Sequence, residues 1–433
     1  MIKRILYTLL IMFPVVASAQ INTDRVMAIG RNALYFEDYV LSIQYFNQVI
    51  NAKPYLSDPY FYRGLAKINL DDFQGAESDC SEAIERNPFV VSAYQVRGLA
   101  RIQQNNFAGA IEDYTKALEF DPENIGVWHN MALCRIRQED YKGAKNDLDK
   151  LIAISPRYTK AYLMRGEVDL KQKDTLAAEK DFGKAIEIDR YDADTWASRA
   201  ILRLQQQRYK DAEADSDHAI RLSTRNSGVY INRALARYHQ NNLRGAMSDY
   251  DIALDIDPNN FIGHYNRGLL RAQVGDDNRA IQDFNFVIEM EPDNMMAIFN
   301  RGLLLDQTGD YKGAIKDYST VINEYPNFLL GYQYRAQARR KIGDVKGADA
   351  DEFKVLKAQL DKQNGVDPNK QTADNTENNK TRKKSDKNMN NYRKIVVADN
   401  EEGEEKYKSD YRGRVQDKNV NIVPQPMFVL TFY

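Results

Sequence analysis

The sequence predicts an all-α solenoid built from ten helix–turn–helix repeats of 34 residues. Three observations support this prediction: an Arg followed by Gly or Ala returns in most copies at a step of 34, an Ala returns in the same frame, and Pro closes most copies. A fixed period without insertions is the signature of a repeat array, in which each copy buries its apolar face against its neighbours. The predicted array covers residues 23–362, so repeat 1 is 23–56 and repeat 10 is 329–362.

The chain begins with a segment of different character. Lys3 and Arg4 precede an apolar run that ends in Ala17-Ser18-Ala19. A basic start, an apolar stretch and small residues at a cleavage site are typical of a secretion signal. We therefore expect residues 1–19 to be a signal peptide cut before Gln20, which predicts an exported protein, periplasmic or outer-membrane associated, in a bacterium. The alternative is an N-terminal anchor, but the apolar run is shorter than the roughly 18 residues of a membrane helix.

The composition narrows the classes of partner and chemistry. The chain has 60 basic and 62 acidic residues, and a net charge of -2 gives no sign of nucleic acid as a partner. No later stretch is apolar for long enough to be an integral membrane span. The four histidines are scattered over different repeat positions, and no nucleotide loop or HExxH motif occurs. We therefore predict no enzyme activity, no cofactor and no metal.

Each repeat has a readable internal design. Gly or Ala at the eighth position and Ala at the twentieth lack bulk, so two helices can approach closely there. Gly, Asn or Asp marks the turn between the helices, as at Gly309-Asp310, and Pro ends the second helix. Aromatic residues at the fourth position, such as Trp196 and Tyr230, are expected to fill the space between repeats.

This pattern resembles the tetratricopeptide repeat family. The resemblance implies antiparallel helix pairs wound into a right-handed superhelix, with an inner groove that the first helices line and that usually binds peptides or protein segments. The sequence departs from the family at the seventh position, where most members carry Leu and eight of these ten repeats carry Arg. It also lacks the Lys and Asn clamp with which some members bind C-terminal carboxylates, so that ligand is not expected here.

The unusual Arg has a partner in the same frame. Nine of the ten repeats carry Asp at the twenty-third position, sixteen residues after the Arg. A helix hairpin brings such residues onto facing helices, and a second basic residue one turn on can reach the same carboxylate. We predict a structural ladder of partly buried pairs, with Arg233–Asp249, Arg267–Asp283 and Arg301–Asp317 among its members. The alternative, an Arg array that captures anionic ligands, is disfavoured because the Asp residues neutralise it.

The later first helices carry the best candidate surface for a partner. Their predicted groove positions become apolar and carry Asn at the sixth position, which can hydrogen-bond a peptide backbone. Asn130 and Asn232 occupy the same position in repeats 4 and 7. The alternatives are contacts between adjacent repeats and a solvated Asn. The predicted partner-binding residues are Ile262, Tyr265, Asn266, Met296, Phe299, Asn300 and Leu330.

The cysteines and the C-terminal part complete the prediction. Cys80 and Cys134 fall in repeats 2 and 4, which are not neighbours, so we expect two free, buried thiols. Residues 363–391 are polar and predict a disordered linker. Residues 392–433 return to β-type residues and predict a β-rich tail suited to strand addition to a partner; alternatively, the sequence is a fragment of a longer protein.

The sequence thus predicts an exported interaction scaffold that binds a peptide or a protein segment in its concave groove. The alternative is an accessory or regulatory subunit of a bacterial envelope enzyme or outer-membrane assembly, docked through the C-terminal tail.

Overall fold

The computed structural model of the protein describes residues 22–222, 225–363, 389, 392–395 and 398. The predicted signal peptide, most of the predicted linker and most of the predicted β-rich tail lie outside these residues. The described residues contain twenty helices and no strand, which confirms the all-α prediction.

The chain divides into two compact units, described separately here. In the first unit, the helices are α1 (Thr23–Tyr35), α2 (Tyr39–Ala52), α3 (Asp58–Asn69), α4 (Phe73–Arg86), α5 (Val91–Gln103), α6 (Phe107–Phe120), α7 (Ile125–Arg137), α8 (Tyr141–Ile154) and α9 (Thr159–Lys171).

In the second unit, the helices are α10 (Thr175–Ile188), α11 (Ala193–Gln205), α12 (Tyr209–Arg221), α13 (Ser227–His239), α14 (Leu243–Ile256), α15 (Phe261–Gln273), α16 (Asp277–Met290), α17 (Met295–Thr308), α18 (Tyr311–Glu324), α19 (Leu329–Lys341) and α20 (Val345–Gln363). In both units, consecutive helices pack against each other along the chain. Repeat 7 consists of α13 and α14, repeat 8 of α15 and α16, and repeat 9 of α17 and α18.

The turn between the two helices of a repeat follows from its sequence. Gly309 has a φ of 95°, a left-handed conformation that costs a glycine little. The next residue, Asp310, caps α18 because its carboxylate accepts a hydrogen bond of 3.0 Å from the backbone N–H of Gly313. The Gly-Asp pair therefore reverses the chain and starts the second helix.

Small residues set how closely the paired helices approach. A Cβ atom added to Gly302 would lie 3.0 Å from Cε1 of Tyr318, on the facing helix. The alanines at the twentieth position, such as Ala246 and Ala314, are fully buried. Each hairpin is therefore packed as tightly as the eighth and twentieth positions predict, and its remaining apolar face packs on the next repeat.

None of the described helices is both long and apolar enough to cross a membrane.

Candidate partner-binding groove

The predicted partner-binding residues lie on the first helices of repeats 8 to 10. Tyr265, Asn266, Met296, Phe299 and Asn300 are buried. The two outer members of the set, Ile262 and Leu330, are half-buried. Part of this burial comes from the chain itself, because described residues between 389 and 398 contact the same side of these helices.

Phe299 is more deeply placed than a groove residue needs to be. It is fully buried, and its ring centroid lies 5.7 Å from that of Tyr318, 4.9 Å from that of Phe328 and 5.9 Å from that of Tyr334. Tyr392 makes a further edge-to-face contact at 4.8 Å. Phe299 therefore serves the core of the repeats and the groove at once.

Two side chains of the groove bind the backbone at Tyr392. The hydroxyl of Tyr265 donates to the carbonyl oxygen of Tyr392 at 2.7 Å, and Nδ2 of Asn300 donates to the same oxygen at 2.5 Å. Both contacts are buried, so each hydrogen bond acts where water does not compete. A carbonyl belongs to every residue, so this pair of donors can bind a chain whatever side chain stands at that position.

Asn232 binds the same segment two repeats earlier. Its Nδ2 donates to the carbonyl oxygen of Ala398 and its Oδ1 accepts from the backbone N–H of Ala398, both at 3.0 Å. One side-chain amide thus satisfies both backbone groups of a single residue, as a neighbouring strand would. Asn266 lies in the repeat between Asn232 and Asn300 and is fully buried.

Apolar side chains of the segment recur at every third position. Met389, Tyr392, Ile395 and Ala398 are all buried. Met389 and Tyr392 join the apolar cluster of repeats 8 and 9, Ile395 contacts the cluster that contains Leu204 and Leu235, and Ala398 contacts the cluster around Ile231 and Tyr250. The apolar contacts therefore fix which residues of the segment face the helices, while the amides hold the backbone.

The second unit also contains a cavity of about 460 Å³ beside this segment. Arg393 lines one side, and Asn300, Asp306 and Tyr334 are among the residues that line the other. Asp306 is already paired with Lys341, whose Nζ lies 3.0 Å away. The cavity adjoins the groove at Asn300, and apolar side chains such as Leu269 and Phe284 line it as well.

The Arg and Asp residues form close ion pairs across each hairpin. The distance from Nη2 of the Arg to Oδ1 of the Asp is 2.6 Å for Arg233–Asp249, 2.8 Å for Arg267–Asp283 and 2.7 Å for Arg301–Asp317. In each pair, Nε donates to the other carboxylate oxygen, which gives the two-pronged geometry that suits a guanidinium. The three carboxylates are buried, so the pairs hold the two helices of a repeat together and do not face the groove as free cations.

Several neighbours reinforce this ladder. Arg237 and Arg271 donate to the same carboxylates as Arg233 and Arg267, at 2.8 Å and 2.7 Å. Burial lowers the pKa of Arg233, but its hydrogen bonds with Asp249 and Asp217 outweigh this effect and the net pKa is raised. The aromatic residue at the fourth position lies against the Arg three residues on, as Tyr230 does at 5.5 Å from Arg233. The sequence analysis assigned these aromatics to spacing between repeats and missed this second role.

Repeat 4 lacks the Arg at the seventh position, so it shows how the Asp at the twenty-third position is paired without that Arg. Met131 occupies the seventh position, and Asp147 has only Arg135 nearby, with Nε at 3.0 Å from Oδ2 but in a direction unsuited to a hydrogen bond. Burial raises the pKa of Asp147 to about 7, although Arg135 opposes this.

The two cysteines are free and buried, which confirms the prediction. Burial raises the pKa of both thiols, and that of Cys134 reaches about 12. The described residues contain no group of three His, Cys, Asp or Glu side chains that could hold a metal ion.

The contact of Met389, Tyr392, Ile395 and Ala398 with the groove was not predicted from the sequence. Met389 was placed in a polar linker and the residues from Tyr392 onward in a tail that pairs with a partner. The described part of that tail contains no strand and packs on the repeats of the second unit. The available signal was the return of apolar residues after a polar stretch, at Met389, Tyr392 and residues 395–398, together with Asn at the sixth position of repeats 7, 8 and 9.

Comparison with known proteins agrees with the repeat frame. A family profile described as "TPR repeat" matches residues 98–134, one described as "Tetratricopeptide repeat" matches 198–261 and 265–327, and another of that description matches 125–158 and 159–192. A search of curated proteins found no match.

Among solved structures, the chain is similar to a tetratricopeptide repeat protein from Parabacteroides merdae, with 20% identity, a TM-score of 0.47, and coverage of 57% of this chain and 98% of that one. It is similar to the C-terminal part of a TPR repeat-containing protein from Cytophaga hutchinsonii, with 18% identity, a TM-score of 0.44, and coverage of 55% and 97%. It is also similar to YrrB, described as a TPR protein with an unusual peptide-binding site, with 18% identity, a TM-score of 0.38, and coverage of 42% and 95%. The 34-residue frame, the paired helices and the three profile matches together show that the chain belongs to the tetratricopeptide repeat family.

Proposed function

We propose that the protein is an exported, non-catalytic interaction scaffold that binds a segment of a partner protein along the first helices of repeats 7 to 9. Its place would be the periplasm or the outer membrane of a bacterium. The observation that carries the proposal is the set of buried side chains, Asn232, Tyr265 and Asn300, that bind backbone groups of a chain segment.

The chemistry of these contacts suits a protein ligand. Every residue of a peptide other than Pro presents an N–H and a C=O, so an amide placed in this way can hold a segment whatever its side chains are. The apolar contacts beside each amide supply the affinity that backbone hydrogen bonds alone do not give.

The ion-pair ladder leaves the groove without a strip of unpaired guanidinium groups. Arg233, Arg267 and Arg301 each contact a buried carboxylate within their own hairpin. We therefore expect recognition to depend on shape and backbone contacts more than on opposite charge, so binding should depend only weakly on salt.

The test of binding uses groove variants in the full chain. Photo-crosslinking in the native cells identifies the captured partner, and its affinity is then measured for wild-type protein and for Asn232→Ala with Asn300→Ala. We expect at least a tenfold loss, since two buried hydrogen-bonding side chains are removed. Asn130→Ala, at the same position of repeat 4, is the matched control. Equal affinity of wild-type and groove variant would contradict the proposal.

The double change Tyr265→Ala with Phe299→Ala is also expected to weaken capture at least tenfold, because it removes two aromatic anchors. Its interpretation needs circular dichroism, because Phe299 also packs against Tyr318, Phe328 and Tyr334. Tyr265→Phe distinguishes loss of a groove contact from loss of packing, since it removes the hydroxyl that binds Tyr392 and keeps the ring.

Export has its own test. N-terminal sequencing of the protein from its native cells should begin at Gln20. A cytoplasmic protein that retains Met1 would overturn this part of the proposal.

A further inference from the structure

The described residues between Met389 and Ala398 contact the groove as a ligand would. They contribute the apolar side chains of Met389, Tyr392, Ile395 and Ala398 and backbone groups at Tyr392 and Ala398. Three of the seven residues that the sequence alone assigned to partner binding, Tyr265, Phe299 and Asn300, contact Tyr392 directly. A partner that binds in this groove must therefore displace the segment.

We propose that residues 389–398 are a built-in competitor, and that the partner carries a segment of the same chemistry: an aromatic residue, then an aliphatic residue three positions later, then a small residue three positions after that. This inference rests on the proposed function of the groove. It adds three points: which part of the chain occupies the groove, which side chains the partner segment carries, and in which chain direction the partner segment runs along the repeats.

The spacing of the contacts defines the pattern. Asn300 and Asn232 lie two repeats apart, and the residues that they bind, Tyr392 and Ala398, lie six positions apart. One repeat therefore corresponds to three residues of the occupant. The start of the occupant is a turn, because the backbone N–H of Tyr392 donates to the carbonyl oxygen of Met389 at 3.2 Å and Tyr392 and Arg393 lie in a turn.

The contacts also define a direction and a size for each position. Tyr392 lies at repeat 9 and Ala398 at repeat 7, so the occupant runs opposite to the order of the repeats. At the first position, the ring of Tyr392 packs edge-to-face on Phe299 at 4.8 Å. At the last position, both backbone groups of Ala398 reach Asn232 and the residue is almost fully buried, so a large side chain would clash there.

The length of the connection makes the competition effective. Residues 364–388 join the end of α20 to Met389, a span of 25 residues. Because the segment belongs to the same chain as the groove, its effective concentration there is on the order of 1 mM, the usual value for a covalently tethered ligand. A segment with an intrinsic dissociation constant of about 0.1 mM would then occupy the groove about nine-tenths of the time and weaken partner binding roughly tenfold.

The experiment uses a fluorescent peptide of residues 387–400, KNMNNYRKIVVADN, and three full-length proteins. These are the wild-type protein, a weakened-segment variant with Tyr392→Ala and Ile395→Ala, and the same variant with Asn232→Ala and Asn300→Ala added. The control peptide carries the Tyr392→Ala and Ile395→Ala changes. Circular dichroism checks that the helices of all three proteins are intact.

We expect fluorescence anisotropy to show that the peptide binds the weakened-segment variant roughly tenfold more tightly than it binds the wild-type protein. Binding should be lost when the two asparagines are also replaced, and the control peptide should bind none of the three. Equal affinity for the wild-type protein and the weakened-segment variant would overturn the competition. Failure of the peptide to bind the weakened-segment variant would overturn the recognition pattern.

A separate measurement distinguishes this inference from the proposed function. The crosslinked partner should bind the weakened-segment variant roughly tenfold more tightly than the wild-type protein and should compete with the peptide. If partner affinity depends on Asn232 and Asn300 but does not change when the segment is weakened, the groove function stands and the competitor role is wrong. If partner affinity is unchanged when Asn232 and Asn300 are replaced, the proposed function itself is wrong.

Discussion

Repeats 4 and 7 carry the same residue types at two decisive positions and use them differently. Both have Asn at the sixth position and Asp at the twenty-third, but repeat 7 has Arg233 at the seventh position and repeat 4 has Met131. In repeat 7, two guanidinium groups contact Asp249 and Asn232 binds the backbone of Ala398.

In repeat 4, the Asp has fewer guanidinium partners and the Asn contacts a different group. Asp147 has one guanidinium nearby, and Nδ2 of Asn130 lies 3.5 Å from the hydroxyl of Tyr114 in the preceding repeat. The difference teaches that the ion pair and the groove contact are separable. The Arg at the seventh position stabilises the packing of the two helices of a repeat. The Asn at the sixth position binds whatever chain lies in the groove. The following predictions test this separation.

The largest effect is expected at Asp249. Asp249→Leu leaves Arg233 and Arg237 without the carboxylate that both contact, whereas Arg233→Leu leaves Asp249 paired with Arg237. Loss of one partner of a buried pair costs about 3–5 kcal/mol. Because both guanidinium groups also reach solvent, we expect about 3 kcal/mol for Asp249→Leu and clearly less for Arg233→Leu, measured by thermal or urea unfolding. Equal losses would show that the pair is weak.

The next effect concerns the groove and is local. Asn232→Ala removes two hydrogen bonds to Ala398, worth about 2 kcal/mol together. Hydrogen exchange at the amide of Ala398 should become at least tenfold faster, with little change in the melting temperature of the repeats. Asn130→Ala should leave that amide protected. Similar exchange in both variants would mean that Asn232 does not hold the segment.

A smaller effect, with a defined pH dependence, is expected in repeat 4. The folded-state pKa of Asp147, about 7, lies above the usual 3.8, so the folded protein holds this proton more tightly than the unfolded chain does. The stability from this group is complete below pH 4 and is lost as the pH rises through 7. Asp147→Asn should therefore be closest to the wild type in stability below about pH 4 and should exceed it by a growing margin up to pH 8, where we expect more than about 1 kcal/mol in urea unfolding. Asp249→Asn, the matched change in repeat 7, should destabilise at both pH values.

The smallest effect is expected at the tenth position, where repeat 4 has Cys134 and repeat 7 has Ala236. Both side chains are fully buried, and the alanine shows that this packing site tolerates the loss of a sulfur atom. Cys134→Ala should therefore cost about 1 kcal/mol or less. Because the pKa of Cys134 is raised to about 12, iodoacetamide should not modify it at pH 7.5 until the protein is unfolded, as mass spectrometry can show.

The repeat fold was predictable because its information is local. The pairing of Arg233 with Asp249 follows from sixteen residues of sequence, and the turn at Gly309-Asp310 from two. The groove could be predicted only in part. Tyr265 and Asn300 were readable from their repeat positions, but their contact with Tyr392 spans 127 and 92 residues, and no local pattern encodes it. The depth of Phe299 was missed for a related reason, since Phe328 at the end of the same repeat and Tyr334 from the next repeat both pack against it.

The hydrogen bonds between Asn232 and Ala398 join residues that are 166 positions apart. The contacts within and between repeats span a few tens of residues, and short-range contacts of this kind form early because little chain entropy is lost in closing them. The repeats should therefore fold before the segment docks, and each newly made molecule should pass through a stage in which the repeats are formed and the groove is open. A partner present at that stage meets a site without a competitor, so the order of synthesis gives it an advantage that equilibrium affinity alone does not.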